Sequence, residues 1–575
     1  MLSKIQKIKS WQAAVIITVL GLATFYSGLR TPFQGDDKAQ IVNNVPVHSI
    51  ANIVTFFEGG TFYYGSQYPL SGDYYRPLMT TVFSFVYTIV GPHTFWFHLL
   101  QLLIYIVSAV LLYFIFRFSF KPALALCLSL VFLVHPINSQ NVFYIAQMQD
   151  VLYVFFGLLA FYLLLKYKSL RSLFVVVLCL LLSLLAKETA ILFVVMSGLY
   201  LFWYNRKRFL PYLGMIVLPL AIYIVLRTHA IGLFVKPSNV PIDRLSFMGR
   251  LFTAPSVFLF YISKFLFPWK LASGYFWAYP TFSFRHVLLP LIMDFLIIGG
   301  VVAMVLLMRR RASRAQFTTF CFFAIWSGLG LFMLLQIVPL DYTADETWFY
   351  FPMIGVLGMI GLAYTSFQQY VRVDRRVLGA VIVLLILVLG VRTMVRGTNW
   401  SSQYNLAYHD IAASKEDYFA YNNIAYQLDF EGKIKLAQTY SQRSVDIFKE
   451  DDNSDTLGII DAQLKQYRQS YRAFIAGLQY QENPQVDQQL YSKAAILMIW
   501  YGNPNSNISM IEDGVSKFPQ NANLWLSLAL LQYRNGQVAD AQSSIKQAYF
   551  MSGSAEIDSA YNIIMNEQRL VINPL

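Results

Sequence analysis

Cysteine is nearly absent, with three in 575 residues. Cys127, Cys179 and Cys321 each fall inside an apolar run, which argues against both a disulfide framework and a cysteine-based metal site. Charge is scarce as well: 13% of the residues are charged, while 57% are hydrophobic and 17% aromatic. A soluble domain could not stay in solution with that balance, so most of the chain is expected in a bilayer. Acidic residues are the scarcer sign in residues 1–400, with 12 Asp and Glu against 31 Lys and Arg, a net charge of +19. Residues 401–575 reverse this, with 19 against 13 and a net charge of −6. Two domains in two environments follow, 1–397 in the membrane and 398–575 outside it. No nucleic-acid motif accompanies the basic part, so nucleic acid is not an expected partner and the basic charge is read as a topology signal.

What is present is a series of apolar runs punctuated by six basic clusters. These are Lys4/Lys7/Lys9, Arg117/Lys121, Lys166/Lys168/Arg171, Arg206/Lys207/Arg208, Arg309/Arg310/Arg311/Arg314 and Arg372/Arg375/Arg376. Short cytoplasmic loops accumulate Lys and Arg, so all six are placed in the cytoplasm and an even number of crossings must separate neighbours. Parity removes two runs. The run 78–90 is too short for a bilayer that needs about 20 residues, and becomes an interfacial or re-entrant helix. The run 251–267, broken by Pro255 and carrying Lys264, is laid along the outer surface.

Eleven spans remain, about 11–29, 95–116, 122–135, 148–166, 172–186, 189–204, 210–227, 286–308, 316–336, 349–367 and 377–395. The first follows a basic start without a small-residue cleavage pattern and is expected to be a retained anchor. An odd number of crossings puts the tail on the non-cytoplasmic face. The same map brings Asp36, Asp37, Glu58, Asp73, Asp150, Glu188, Asp243, Asp341, Asp345 and Glu346 to that face, leaving out Asp294 and Asp374. Carboxylates at helix ends beside a bilayer are costly and are kept for ions, protons or substrates.

The outer segments carry the candidate chemistry. Adjacent Asp36 and Asp37, in Phe33-Gln34-Gly35-Asp36-Asp37, repel one another and lose hydration near the membrane. One pKa should therefore rise toward the range of a general base; a solvated turn is the plainer alternative. Arg76, before Pro77 and after Tyr74-Tyr75, offers a cation suited to a phosphate or else an interfacial anchor. His135 ends a span before Pro136, where packing at a helix end competes with any chemical role. Asp150 opens a span, where it either binds something or caps the helix. Lys187-Glu188 closes another, as a self-neutralising pair or a site. Glu346 lies in Asp345-Glu346-Thr347, after Asp341. Between 227 and 285, Arg227, Lys236, Arg244, Arg250, Lys264, Lys270 and Arg285 violate the positive-inside bias. Outer cations of this kind call for an anionic partner, and a lipid phosphate is the economical one.

In order and spacing these motifs resemble one family, the C-type (GT-C) glycosyltransferases, and within it the TPR-bearing transmembrane O-mannosyltransferases that act on cadherins. The resemblance rests on Phe33 with Asp36-Asp37 and Asn43, Tyr75-Arg76-Pro77-Leu78, Phe97-His98, His135-Pro136-Ile137, Asp150 with Leu152, Ala186-Lys187-Glu188-Thr189, and Glu346 with Phe349-Tyr350, Pro352 and Ile354-Gly355. It implies a polyprenyl-phosphate sugar as donor, a hydroxyl acceptor, and Asp36 as the base with Asp37 beside it. Arg76, Lys187 and Arg250 would hold the donor phosphate, supported by His135, Asp150, Glu188 and Glu346. No metal or other cofactor is required, because lysine and arginine can take the leaving phosphate. Gln140, Met148 and Thr347 stand where that family commonly carries Glu, Arg and Arg.

The tail reads as tetratricopeptide-like (TPR-like) units of about 34 residues. Tyr421 to Ala425 leads to Gly432, Ala437 and Tyr440; Leu524 to Ala529 leads to Gly536, Ala539 and Ala541, and 454–519 has room for two degenerate units. The expected fold is therefore all-α, a polytopic helical bundle followed by an α-solenoid. The expected function is transfer of one sugar, mannose as first choice, to Ser or Thr of an exported protein held by the repeats. Transfer to a lipid or cell-surface glycan is the alternative reaction, and a non-catalytic membrane scaffold or transporter the alternative class. The expected setting is a bacterial inner membrane.

Overall fold

The computed structural model describes residues 8–62, 74–232, 240–368, 370, 374–480, 484–501 and 508–570. Lys4, Lys7, Asp73, Lys236 and Arg372, named above, lie outside them. Among the described residues the chain is helical throughout, without a β-strand; Tyr275 and Ala344 form one isolated antiparallel bridge. It divides into two compact units, with the boundary between Glu416 and Asp417.

The first unit contains α1 (Ser10–Phe25), α2 (Pro77–Val90), α3 (Thr94–Phe116), α4 (Pro122–Val134), α5 (Met148–Lys166), α6 (Arg171–Ala186) and α7 (Ile191–Tyr204). It continues with α8 (Arg206–Ile231), α9 (Phe247–Leu266), α10 (Leu289–Arg311), α11 (Arg314–Met333), α12 (Tyr350–Phe367), α13 (Arg375–Asn399) and α14 (Gln403–Ala413). Among the described residues, eight helical segments are long and apolar enough to cross a membrane: Ser10–Arg30, Thr94–Phe116, Ile145–Lys166, Arg206–Ile231, Phe284–Arg311, Arg314–Met333, Glu346–Phe367 and Arg376–Asn399. The chain is a multi-pass membrane protein. Pro122–Val134 joins Pro136–Phe143 through a 51° bend and makes a ninth candidate if the two count as one span. Arg171–Ala186 and Glu188–Tyr204 are apolar but shorter, like Pro77–Val90.

The α9 helix shows why 251–267 reads weakly as a span. Gly249, Thr253, Val257 and Tyr261 are its buried residues, one stripe at i, i+4, i+8 and i+12, while Phe247, Met248, Leu251 and Leu266 are exposed. Close helix packing elsewhere uses small residues, as membrane helices do. Gly355 of α12 lies so near α11 that a Cβ would stand 2.6 Å from the Phe323 carbonyl oxygen, and Gly358 packs directly on the Phe323 ring. The core beneath is aromatic: Tyr105, Phe132 and Tyr350 stack with centroids 5.1–6.3 Å apart.

The second unit is a stack of helical hairpins, α15 (Tyr418–Phe430) with α16 (Ile434–Ile447) and α17 (Asp451–Gln463) with α18 (Tyr467–Gly477). Next come α19 (Pro484–Tyr501) with α20 (Ile508–Lys517), then α21 (Ala522–Arg534) with α22 (Val538–Met551), and α23 (Ala555–Met565) closes the stack. Each clear repeat sets two buried small residues 12 positions apart where its helices cross: Ala425 and Ala437, Gly458 and Ser470, Ala529 and Ala541. The turn after the first helix is left-handed at Gly432, Lys465 and Gly536. First helices of successive hairpins pack on one another more closely than second helices do, so the stack curves with α15, α17, α19 and α21 on its inner side.

Candidate active site

The segment after α1 is pinned before it reaches Asp36. Thr31 meets His98 of α3 at 2.6 Å, and Gln34 donates its side-chain N–H to the Trp400 carbonyl at 2.6 Å. Phe33 packs edge-on against Phe97 at 5.6 Å, so three residues that carry the family resemblance converge here. Gly35 then turns with φ +46°, and a Cβ there would sit 2.9 Å from the Tyr144 hydroxyl. Only glycine tolerates both conditions.

Beyond that turn the two aspartates part. Asp37 is buried; its Oδ1 accepts from the Ala146 N–H at 2.7 Å and its Oδ2 from the Gln34 N–H at 3.1 Å. Burial still pushes its carboxyl well above the usual range. Asp36 is exposed to solvent. Its N–H donates to the Tyr144 hydroxyl at 2.8 Å. Desolvation raises the Asp36 carboxyl, while Tyr144 and the charge of Arg76 act in the opposite direction. Of the pair, Asp36 alone is free to meet a substrate.

Arg76 precedes the Pro77 that opens α2. Its Nη1 donates to Gln149 at 2.8 Å, its Nη2 reaches Glu188 at 3.4 Å, and its guanidinium lies 4.1 Å above the Tyr74 ring. The Glu188 contact is long and the Glu188 side chain is 44% exposed, so an incoming anion could displace it. Arg76 Nε is buried without a partner. Lys187 is held tighter, with Nζ 2.9 and 2.8 Å from the two oxygens of Asp150, both side chains buried. Asp150 therefore neutralises and aims Lys187 rather than standing alone at a helix start.

The loop before α12 closes a ring of charges around these groups. Asp345 is within electrostatic reach of Asp150 and Lys187, and Asp341 of Asp36 and Asp345. Burial pushes Asp345 up to about 6 and Asp341 up to about 7. Asp345 also caps the turn to Glu346, accepting from the Thr347 N–H at 2.7 Å and the Thr347 hydroxyl at 2.6 Å. Asp36, Arg76, Glu188, Lys187, Asp150, Asp345 and Asp341 thus form one electrostatic neighbourhood.

Glu346 belongs to an adjoining group. Its Oε1 accepts from the Tyr275 hydroxyl at 2.7 Å and the Ala272 N–H at 2.9 Å; its Oε2 is buried and unpartnered, within electrostatic reach of Lys264 and Arg396. Arg396 pairs with Asp410 at 3.4 Å, and Asp410 takes the Ser273 N–H at 3.1 Å. Tyr144, Arg396 and Asp410 are absent from the candidates drawn from sequence, and Asp341 and Asp345 entered there only as carboxylates of the outer face without an assigned role. Arg392 and Arg396, one turn apart near the end of α13, are the signal that was there to find.

Two candidates stay outside these groups. His135 receives the Ile137 N–H at Nδ1 (3.2 Å), meets the Phe265 carbonyl at Nε2 (2.9 Å) and stacks on the Phe265 ring. Both ring nitrogens are engaged by backbone groups, Nδ1 at the helix break and Nε2 at the end of α9, leaving none for substrate. Arg250 donates to the Leu245 carbonyl at 2.9 Å, just before its own helix, and among the described residues no hydrogen bond or ion pair joins it to Asp36, Asp150, Glu188 or Asp345.

Part of the chain is similar to a curated protein. Protein O-mannosyl-transferase Tmtc3 of Drosophila melanogaster is 24% identical over 139 residues. That stretch is 24% of this chain and 15% of the relative's length. No family model matches the chain. Among solved structures, YrrB, described as a TPR protein with an unusual peptide-binding site, aligns with 28% of this chain and 82% of its own. The identity is 13% and the TM-score 0.25.

Proposed function

We propose that this protein is a membrane glycosyltransferase that moves a single sugar, mannose as first choice, from a polyprenyl phosphate to a Ser or Thr hydroxyl of an exported polypeptide. The observation that carries this reading is the contrast between Asp36 and Asp37: one accessible carboxylate with a raised pKa, set by its neighbour on a rigid, multiply anchored turn. The similarity to a protein O-mannosyl-transferase supports the reaction class.

In the proposed step, Asp36 takes the proton of the acceptor hydroxyl. The oxygen attacks the anomeric carbon, a new glycosidic bond forms, and the bond to the phosphate oxygen breaks with its electron pair leaving on the polyprenyl phosphate. Arg76 would receive that anion as the long contact to Glu188 opens, and Lys187, oriented by Asp150, would lend positive charge behind it. Arg396 and Lys264, beside the unpartnered Glu346 oxygen, are within the same chemistry's reach as a second cationic group. The reading places the site and repeats on the non-cytoplasmic face of a bacterial inner membrane, with the short helices Arg171–Ala186 and Glu188–Tyr204 counted as crossings.

The test is transfer to a serine peptide from defined polyprenyl-phosphate sugars in detergent. Asp36→Asn should lower transfer by about 10²-fold or more, the scale of general-base catalysis. The wild-type rate should climb with pH through the raised Asp36 pKa, because only the carboxylate can accept the proton. Undiminished transfer by Asp36→Asn would remove it as base. No transfer from any donor would move the protein to the scaffold class.

A further inference from the structure

The inner side of the helical-repeat unit carries an unusual concentration of carboxylates. Asp451 and Asp452 stand in the first turn of α17, Asp455 one turn on, and Asp487 in the first turn of α19. Acids at helix starts are ordinary, because the backbone dipole favours negative charge there. These do not have ordinary surroundings. Asp487 is 3% exposed, its Oδ1 is buried, and neither its carboxylate nor that of Asp452 has a hydrogen bond or ion pair among the described residues. Burial and mutual repulsion hold both near 7, so helix dipoles leave the cluster short of positive charge. Lys493 of α19 is engaged with both oxygens of Asp455 at 2.7 and 2.6 Å, and Lys517, whose charge draws Asp487 down, is paired with Asp513 at 2.7 Å.

A groove adjoins this cluster between α19 and α21. It has a volume of about 440 Å³ and is lined by Gln485, Gln488, Gln489, Ser492, Lys493, Asn521 and Asn523. Side-chain amides both donate and accept, so a row of them matches a peptide backbone without selecting its side chains. Next to it, two carboxylates without partners select for one kind of side chain.

We propose that the inner face of the repeats binds an extended polypeptide through its backbone along the amide-lined groove, with a lysine or arginine of that polypeptide inserted among Asp451, Asp452 and Asp487. As an account of how the acceptor is chosen, this rests on the transferase reading; as a binding site it stands on its own residues. The recognised partner is a basic segment, in keeping with the net charge of −6 on residues 401–575.

The test uses the full chain in detergent and three labelled serine peptides, one rich in lysine, one in glutamine and one in glutamate, read by fluorescence anisotropy. The lysine peptide should bind about tenfold more tightly than the glutamine peptide, with the advantage shrinking as salt is added. Asp452→Asn with Asp487→Asn should bring the lysine peptide to the glutamine level. Asn523→Ala with Gln489→Ala should weaken all three alike. Equal binding of the three peptides by the unaltered chain overturns the proposal whether or not the variants fold. So does a lysine preference that survives removal of both aspartates. Sugar transfer measured beside binding separates the two readings. Transfer without lysine preference ends this proposal and keeps the enzyme, whereas lysine preference without transfer does the reverse.

Discussion

Asp36 and Asp37 share a sequence environment, and what separates them is where their oxygens point. Asp37 spends both on backbone N–H groups, at 2.7 and 3.1 Å, and so ties the segment after α1 to the loop before α5. In Asp37→Asn an amide nitrogen must face one of those donors. The melting temperature in detergent should fall by the equivalent of about 1–3 kcal/mol, with the folded fraction still active. Asp36→Asn should do the opposite, losing transfer while leaving the melt unchanged. Asp345 gives a third prediction. Its folded pKa, about 6, lies above the ordinary 3.8, so the protonated form is the stabilising one. That contribution is complete below pH about 4 and is lost as pH rises through about 6; with a shift near two units it amounts to about 3 kcal/mol at most. Asp345→Asn should flatten this part of the melting temperature's pH dependence, and an unchanged slope would count against it.

At the scale of elements, the helix positions follow from apolar runs and from caps that the chain supplies. Pro77 and Pro122 open their helices; Ser246, Ser313 and Asp417 cap theirs. Such local signals are legible in sequence because the residues that make them lie within one turn. Lys465 was not legible as special. It occupies the left-handed turn that Gly432 fills in the preceding repeat and Gly536 in the fourth, 33 residues after Gly432, with φ +60°. A side chain there is strained, so Lys465→Gly should stabilise the repeats by about 1 kcal/mol, measured as a shift in the midpoint of urea unfolding. A lower midpoint would mean that the lysine side chain makes a compensating contact.

For the whole molecule, charge asymmetry along the chain leads to an expected boundary at 397–398, and the structure divides at Glu416–Asp417, after α14 has packed on α13. Positive-inside parity leads to an odd number of crossings, and this sets up a labelling test. In a variant with Cys127, Cys179 and Cys321 replaced, a cysteine at exposed Phe550 should react with a membrane-impermeant thiol reagent added from the non-cytoplasmic side of intact cells. Reaction only after the membrane is opened would put the repeats in the cytosol and end the exported-acceptor reading.

By itself the sequence determined that the chain is helical, crosses a membrane several times and ends in repeats, because hydrophobic periodicity and 34-residue spacing are properties of neighbours along the chain. It also singled out Asp36, Arg76, Asp150, Lys187, Glu188 and Glu346. Only the tertiary structure decided which of these share one electrostatic neighbourhood, that Asp150 belongs to Lys187, and that His135 is consumed by backbone groups. It alone brought in Tyr144 and set Asp341 within reach of Asp36 and Asp345 within reach of Lys187. The physical reason is that hydrogen bonds and desolvation act over a few ångströms in space, between residues up to hundreds of positions apart, such as Gln34 and Trp400.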